Sequence, residues 1–398
     1  MIDDQDADDA GEDDDGEASP IGAETVAAVR DPATGRRLLA GIVKRTYAID
    51  DDGRVSLADD QAAIVDDPDL GIDDHDAYAL LIDDTDLVAP KVATDVVLAA
   101  TAFSRDRTRE LHVAVALGAN VRRLRVSGER VAEVRGDGTV RFSSAEAFTE
   151  TPIGWDVAYG GYDEHAHFTV APPTADEIRF LGRPLGLFAY PRNSAGRAYF
   201  LDVDRRRADG ARLPIVEDPS DPLTPDRFFV PRPAAWLDAP IAAGLGWQHH
   251  AWFPRFVRTV GPLLAHDAPT RPVREVALGD GDDLPDVAEL GRGQLHPRGL
   301  QGAAAGLSRE RLRGDELCIL SNLHPRVADL RFALPGEVPR ITIRPPNVKA
   351  FTPPAVLQTV RIDPAAGRVV LTWCAAVPLL ARVDQDFLAS CELAVSFR

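Results

Sequence analysis

Between residues 110 and 117 the chain alternates. Leu111, Val113, Val115 and Leu117 are separated by His112, Ala114 and Ala116. A period of two places one set of side chains on each face of a strand, so the aliphatic set reads as buried and His112 as lying on the wetter face. Leu124 and Val126 alternate in the same way with Arg123, Arg125 and Ser127, and Asp137-Gly138 marks a tight turn into Val140 and Phe142. Residues 95–144 therefore predict consecutive antiparallel hairpins with one solvated face. Apolar runs at 25–30 and 38–48 flank Asp31-Pro32-Ala33-Thr34-Gly35. There proline pre-sets a type I turn and glycine takes the left-handed position after it. The same turn chemistry recurs at Asp363-Pro364-Ala365-Ala366-Gly367, between runs at 356–362 and 369–373. Further strands are predicted at 316–320, 327–333, 338–343 and 393–397.

Helix signals are few. Thr174-Ala175-Asp176-Glu177 resembles a capping box opening a helix that ends near Gly182. A helical turn at 234–239 stops at Pro240, and a short helix at 308–313 stops at Gly314. Ten prolines between Pro172 and Pro233 leave room for little regular structure, so that region reads as ordered loops wrapped over the sheets. No β-α-β alternation appears. The predicted class is mainly β: antiparallel sheets in sandwich-like lobes, long Pro-rich loops and a few short helices.

At 398 residues the chain exceeds what one core usually supports, so two lobes are expected. The organisation reads as a disordered acidic tail (1–20), an N-terminal antiparallel β lobe (21–150), a loop-rich central region (151–305) and a C-terminal β segment completing the fold (306–398). The tail carries ten acidic residues before Ser19 and almost nothing to bury. It reads as a solubility tail or as a docking tail for a basic partner.

Charge narrows the functional classes. Lys plus Arg is 44 and Asp plus Glu is 63, a net of −19, which opposes nonspecific binding to nucleic acid and to anionic membranes. The N-terminus lacks a basic region followed by an apolar run, and no apolar run is long enough to span a bilayer. Three cysteines, Cys318, Cys374 and Cys391, fit neither a zinc module nor a disulfide framework and suit a reducing cytoplasm. The Asp-dense stretch from Asp50 to Asp86 lacks EF-hand spacing and reads as a solvated surface segment. His165 and His167, with Asp163 beside them and His249-His250 further on, are the candidate ligands of a metal-dependent hydrolase. No His-Glu-x-x-His, nucleophile elbow or phosphate loop accompanies them, so no metal, cofactor or small-molecule substrate is expected.

The densest concentration of aromatics and glycines is Thr151-Pro-Ile-Gly-Trp-Asp-Val-Ala-Tyr-Gly-Gly-Tyr-Asp163. It offers Trp155, Asp156, Tyr159, Gly160, Gly161 and Tyr162. A second cluster holds Trp247, Trp252 and Phe253. Such aromatics either anchor a protein interface or fill the cores beneath Pro-rich loops. A structural or carbohydrate-binding β module, with these rings as stacking platforms, is a further alternative.

Five segments, in order, resemble a bacterial family long known only as a domain of unknown function, whose members accompany type VI secretion loci. The first runs from Asp86 through Pro90 and Lys91 to Thr94-Asp95-Val96. The second is Pro152, Trp155-Asp156 and Tyr159-Gly160-Gly161, with Trp and Asp where the family tends to have Tyr and Glu. The third is Pro191-Arg192-Asn193-Ser194-Ala195-Gly196, followed by Tyr199. The fourth is Leu213-Pro214-Ile215-Val216-Glu217-Asp218-Pro219. The fifth is Gly314-Asp315-Glu316 followed by Asn322-Leu323-His324-Pro325, and Val369 to Trp373 resembles the family's closing strand. The resemblance implies a cytoplasmic, non-enzymatic adaptor or chaperone. Its expected partners are a secreted effector and the spike tip, a proline-alanine-alanine-arginine-repeat (PAAR) protein seated on a valine-glycine-repeat trimer.

Overall fold

The computed structural model describes residues 22–70, 80–169, 188–255, 296–379 and 383–398. The fold is mainly β, with most strand pairs antiparallel. The larger sheet runs in the order Ala23–Arg30, Arg37–Ile49, Arg368–Pro378, Val356–Asp363 and Asp95–Leu98, with Val55–Leu57 also pairing to Arg37–Ile49. Its last pair is parallel. The second sheet runs Val216–Glu217, Asn120–Ser127, Glu110–Leu117, Leu317–Ser321, Asp329–Ala333. Both sheets draw strands from distant parts of the chain.

Local chemistry accounts for the hairpins. Asp31 accepts a hydrogen bond from the Ala33 amide at 3.0 Å, and Gly35 has φ +67°. Asp363 accepts from the Ala366 amide at 2.9 Å, and Gly367 has φ +62°. At Gly367 a Cβ would also lie 2.7 Å from the Ile49 carbonyl oxygen. Glycine is therefore required there for space as well as for backbone angle. The alternation at 111–126 appears as read: Val113, Val115, Leu117, Leu124 and Val126 are buried and His112 is exposed.

One continuous hydrophobic core takes side chains from both large sheets and from the central loops. A two-stranded ribbon, Pro339–Arg344 with Glu392–Phe397, lies against the larger sheet at Gly41. A Cβ on Gly41 would meet Ile341 Cγ2 at 2.7 Å and Leu393 Cδ1 at 2.8 Å. Three short helical pieces matter here: a 3-10 helix at Pro233–Asp238, where a turn was expected, and two α-helices at Glu164–Thr169 and Gln385–Ala389 that the sequence pattern did not announce.

Two expectations fail. The segment 308–313 is not helical. It lies along the edge strand Asp95–Leu98, where the Thr94 amide donates to the Glu310 carbonyl at 2.9 Å and the Val96 amide to the Leu307 carbonyl at 2.8 Å. An exposed strand edge needs partners for its backbone groups, and that demand outweighs local helix propensity. The reading of Asp50–Asp86 as solvated throughout also fails, because Asp84 and Asp86 are buried in ion pairs. The helix expected from Thr174 lies outside the described residues. Among the described residues no helix is long and apolar enough to cross a membrane.

Candidate functional site

The central motif folds into a backbone frame. The strand Phe148–Ile153 pairs with Ala100–Thr108 and leads through Gly154 into the 3-10 helix Trp155–Val157. The chain then pairs in parallel, Tyr159–Gly160 with Arg197–Ala198. Gly160 has φ +152° and Gly161 φ +109°. A Cβ on Gly160 would lie 2.1 Å from the Asn193 carbonyl oxygen, and one on Gly161 would lie 2.6 Å from that of Gly196. The two glycines are needed because the 193–196 loop crosses directly over them. Asn193, fully buried, locks the crossing. Its side-chain amide donates to the carbonyls of Trp155 at 2.7 Å and Tyr159 at 3.1 Å, and its own carbonyl accepts from the Gly161 amide at 2.9 Å.

The rings beneath this crossing are packed together. Trp155 meets Trp252 edge-on at 5.4 Å, and Trp252 Nε1 donates to Ser194 Oγ at 3.0 Å. Tyr159 meets Tyr190 at 5.0 Å. The Tyr190 hydroxyl donates to the Pro240 carbonyl and accepts from Arg192, whose guanidinium lies 4.9 Å above the Trp236 ring. Burial raises the Tyr159, Tyr190 and Tyr199 hydroxyls above their ordinary range.

The candidate anchors Trp155, Tyr159, Trp247 and Trp252 are therefore core residues, 5% exposed or less. As placed, they present no surface to a partner, which corrects their reading as interface anchors. Gly160 and Gly161 are buried with them. Tyr162 and Phe253 are half-buried, with Phe253 stacked edge-on against Trp236 at 4.8 Å, and Asp156 is exposed.

The family-like motifs converge on buried polar pairs. Lys44 reaches Asp86 at 2.8 Å, and Asp86 also accepts from the Val65 amide at 2.8 Å. Lys91 reaches Asp95 at 2.7 Å while lying 5.1 Å from the Trp247 ring centre. Asp95 accepts in addition from the amides of Gly302 and Ala303. Pro90, between the two pairs, is half-buried. One segment thus ties the larger sheet to the second aromatic cluster and to the loop at 302–303. Beside it Asp84 pairs with Arg255 at 2.6 Å and His250 at 3.3 Å. Burial pushes Asp84 up, but the His250 hydrogen bond and the Arg255 and Lys91 charges outweigh it and hold the carboxyl well below the usual carboxylate range.

The Asn322–Pro325 step is a backbone device. Asn322 has φ +56° and its side-chain amide donates to the His112 carbonyl at 2.9 Å. His324 accepts from the amides of Arg326 and Val327 through Nδ1, while Pro325 is exposed. Burial, only partly offset by Asp51, lowers the His324 pKa. Gly196 belongs to the crossing already described.

His165 and His167 lie in the helix Glu164–Thr169, two positions and so about half a turn apart. Both are exposed. His167 packs against Phe188 at 4.9 Å. Asp163, their supposed co-ligand, instead caps that helix through the Ala166 amide, accepts from the Leu201 amide and pairs with Arg207. Among the described residues no three His, Cys, Asp or Glu side chains are grouped to hold a metal ion.

Sequence reasoning missed Lys44, Asp84, Arg207 and Arg255, and gave Asp163 a metal-binding role in place of its pairing with Arg207. Their partners lie tens to hundreds of positions away, and nothing local to each residue marks the pairing.

No curated protein and no solved structure matches the chain. Residues 34–374, most of the chain, match one protein family. The chain belongs to that family, described as an uncharacterized protein conserved in bacteria (DUF2169).

Proposed function

We propose that this protein is a non-enzymatic adaptor that binds a secreted type VI effector, or the PAAR-type spike-tip protein that carries it, in the cytoplasm and holds it for loading. The ordered resemblance of its motifs to a secretion-associated family supports this reading. The carrying observation is where the motif residues lie. Asp86, Lys91, Asp95, Arg192 and Asn193 are all 8% exposed or less and are committed to holding loops and sheets together. Groups so placed serve a rigid scaffold whose surface does the binding, not a site that turns over substrate.

Co-expression of the tagged protein with candidate type VI effectors and PAAR-type spike-tip proteins of its host genome tests the reading. A stoichiometric complex with at least one of them is expected. Failure to co-purify with any of them overturns it, and stoichiometric zinc in untagged protein that is lost on His167→Ala overturns it in favour of a metal-dependent hydrolase.

A further inference from the structure

The three lysines of the chain are not equivalent. Lys44 and Lys91 are buried in ion pairs, whereas Lys349 is exposed. The aromatics show the same contrast. Among the described side chains every Trp and Tyr, and every other Phe, is buried or half-buried, while Phe351 is 37% exposed. Val348, three residues earlier, is 53% exposed. An exposed phenylalanine, valine and lysine thus share one four-residue stretch, and Phe351 is the one exposed aromatic among the described Trp, Tyr and Phe side chains.

That stretch is held in shape. After the strand Pro339–Arg344 the chain doubles back, with Ile343 and Phe351 exchanging backbone hydrogen bonds at 2.8 and 2.9 Å. The Thr342 and Thr352 hydroxyls share a hydrogen bond at 3.0 Å, and Asn347 turns the tip with φ +58°. Pro345-Pro346 and Pro353-Pro354 bracket it and fix four more φ angles. A rigid protrusion loses little conformational freedom on binding, and an aromatic on such a protrusion is a typical interface anchor.

The charge around it selects the partner. Lys349 joins Arg344, exposed on the preceding strand, and the carboxylate facing Arg344, that of Glu392, is 4.0 Å away and exposed. In a chain of net charge −19, residues 345–352 carry one charge, the exposed cation of Lys349. A second copy meeting it across a two-fold axis would set these cations against themselves. We propose that residues 346–352 form a docking protrusion for a partner protein whose surface offers an apolar pocket rimmed by carboxylates. The proposal rests on the adaptor reading and names the part of the surface that serves it.

The test titrates wild type, Phe351→Ser and Lys349→Glu against a candidate type VI effector and a PAAR-type spike-tip protein of the host genome, at low and high salt. Thermal unfolding and light scattering accompany each variant. The account expects wild-type binding that weakens about 30-fold or more with Phe351→Ser. Lys349→Glu should weaken binding most at low salt, with a flatter salt dependence. Unfolding midpoints should stay near wild type, because these side chains are exposed. If wild type binds and both variants bind equally well, the docking role of the hairpin is overturned while the adaptor reading stands. If wild type binds neither protein, both fall. A change in self-association in place of partner binding would identify the tip as a contact between copies and also overturn the proposal.

Discussion

Replacing Asn193 by alanine removes two donors at once and leaves the carbonyls of Trp155 and Tyr159 buried without those partners. Orphaned buried acceptors are costly, so Asn193→Ala should lower the unfolding free energy by about 3 kcal/mol, read as a shift of the urea midpoint with an unchanged slope. A loss under about 0.5 kcal/mol would mean the crossing is held by other contacts. His249 provides a pH test. Burial, then the neighbouring His250 and Arg255 charges, lower it from 6.5 to about 4, with Asp84 pulling the other way. In that window the unfolded chain takes up a proton that the folded chain refuses. Stability from this group is therefore present in full above pH 6.5 and is lost as pH falls towards 4. Asn in place of His249 can still accept from the Ala251 amide but does not titrate. The fall in stability over that window should be smaller in His249→Asn than in wild type. Identical slopes would rule the histidine out as its source.

At the level of elements, packing distance is decisive. The ribbon of Pro339–Arg344 and Glu392–Phe397 approaches the larger sheet over Gly41, where a methyl would meet Ile341 and Leu393 side-chain tips below 3.0 Å. Those tips can shift, but only by leaving their packed positions. Gly41→Ala should therefore cost about 1–3 kcal/mol and speed amide exchange in Pro339–Arg344 ahead of the sheet beneath. Uniform exchange across both layers would refute this. The hairpins around Asp31–Gly35 and Asp363–Gly367 were legible in the sequence because their turn chemistry is local. The stretch 308–313 was not, because its backbone is claimed by a strand edge some 215 positions earlier. The helix at Glu164–Thr169 carries a readable cap in Asp163, but its brevity hides the period.

Among the described residues, Asp86, Lys91, Asp95, Arg192 and Asn193 of the family-like motifs lie inside together with every tryptophan, while Asp156 is exposed. Spacing could show that Trp155, Tyr159, Trp247 and Trp252 cluster in sequence. It could not show which way they face, because a ring beneath a Pro-rich loop and a ring on top of it have the same neighbours along the chain. Burial was decided by the 193–196 loop crossing Gly160 and Gly161, a contact between segments some 33 residues apart. The hairpin that presents Lys349 and Phe351 emerged only from the fold, because the Ile343–Phe351 pairing that makes it has no local turn signature. The central claim is that this scaffold works by holding another protein. Size-exclusion chromatography with light scattering, on the purified protein mixed with a candidate type VI effector of its host genome, tests this most directly. The account predicts one earlier peak with the summed mass of both chains. Two separate peaks at the individual masses, with both proteins folded and the spike-tip protein also unbound, would contradict it.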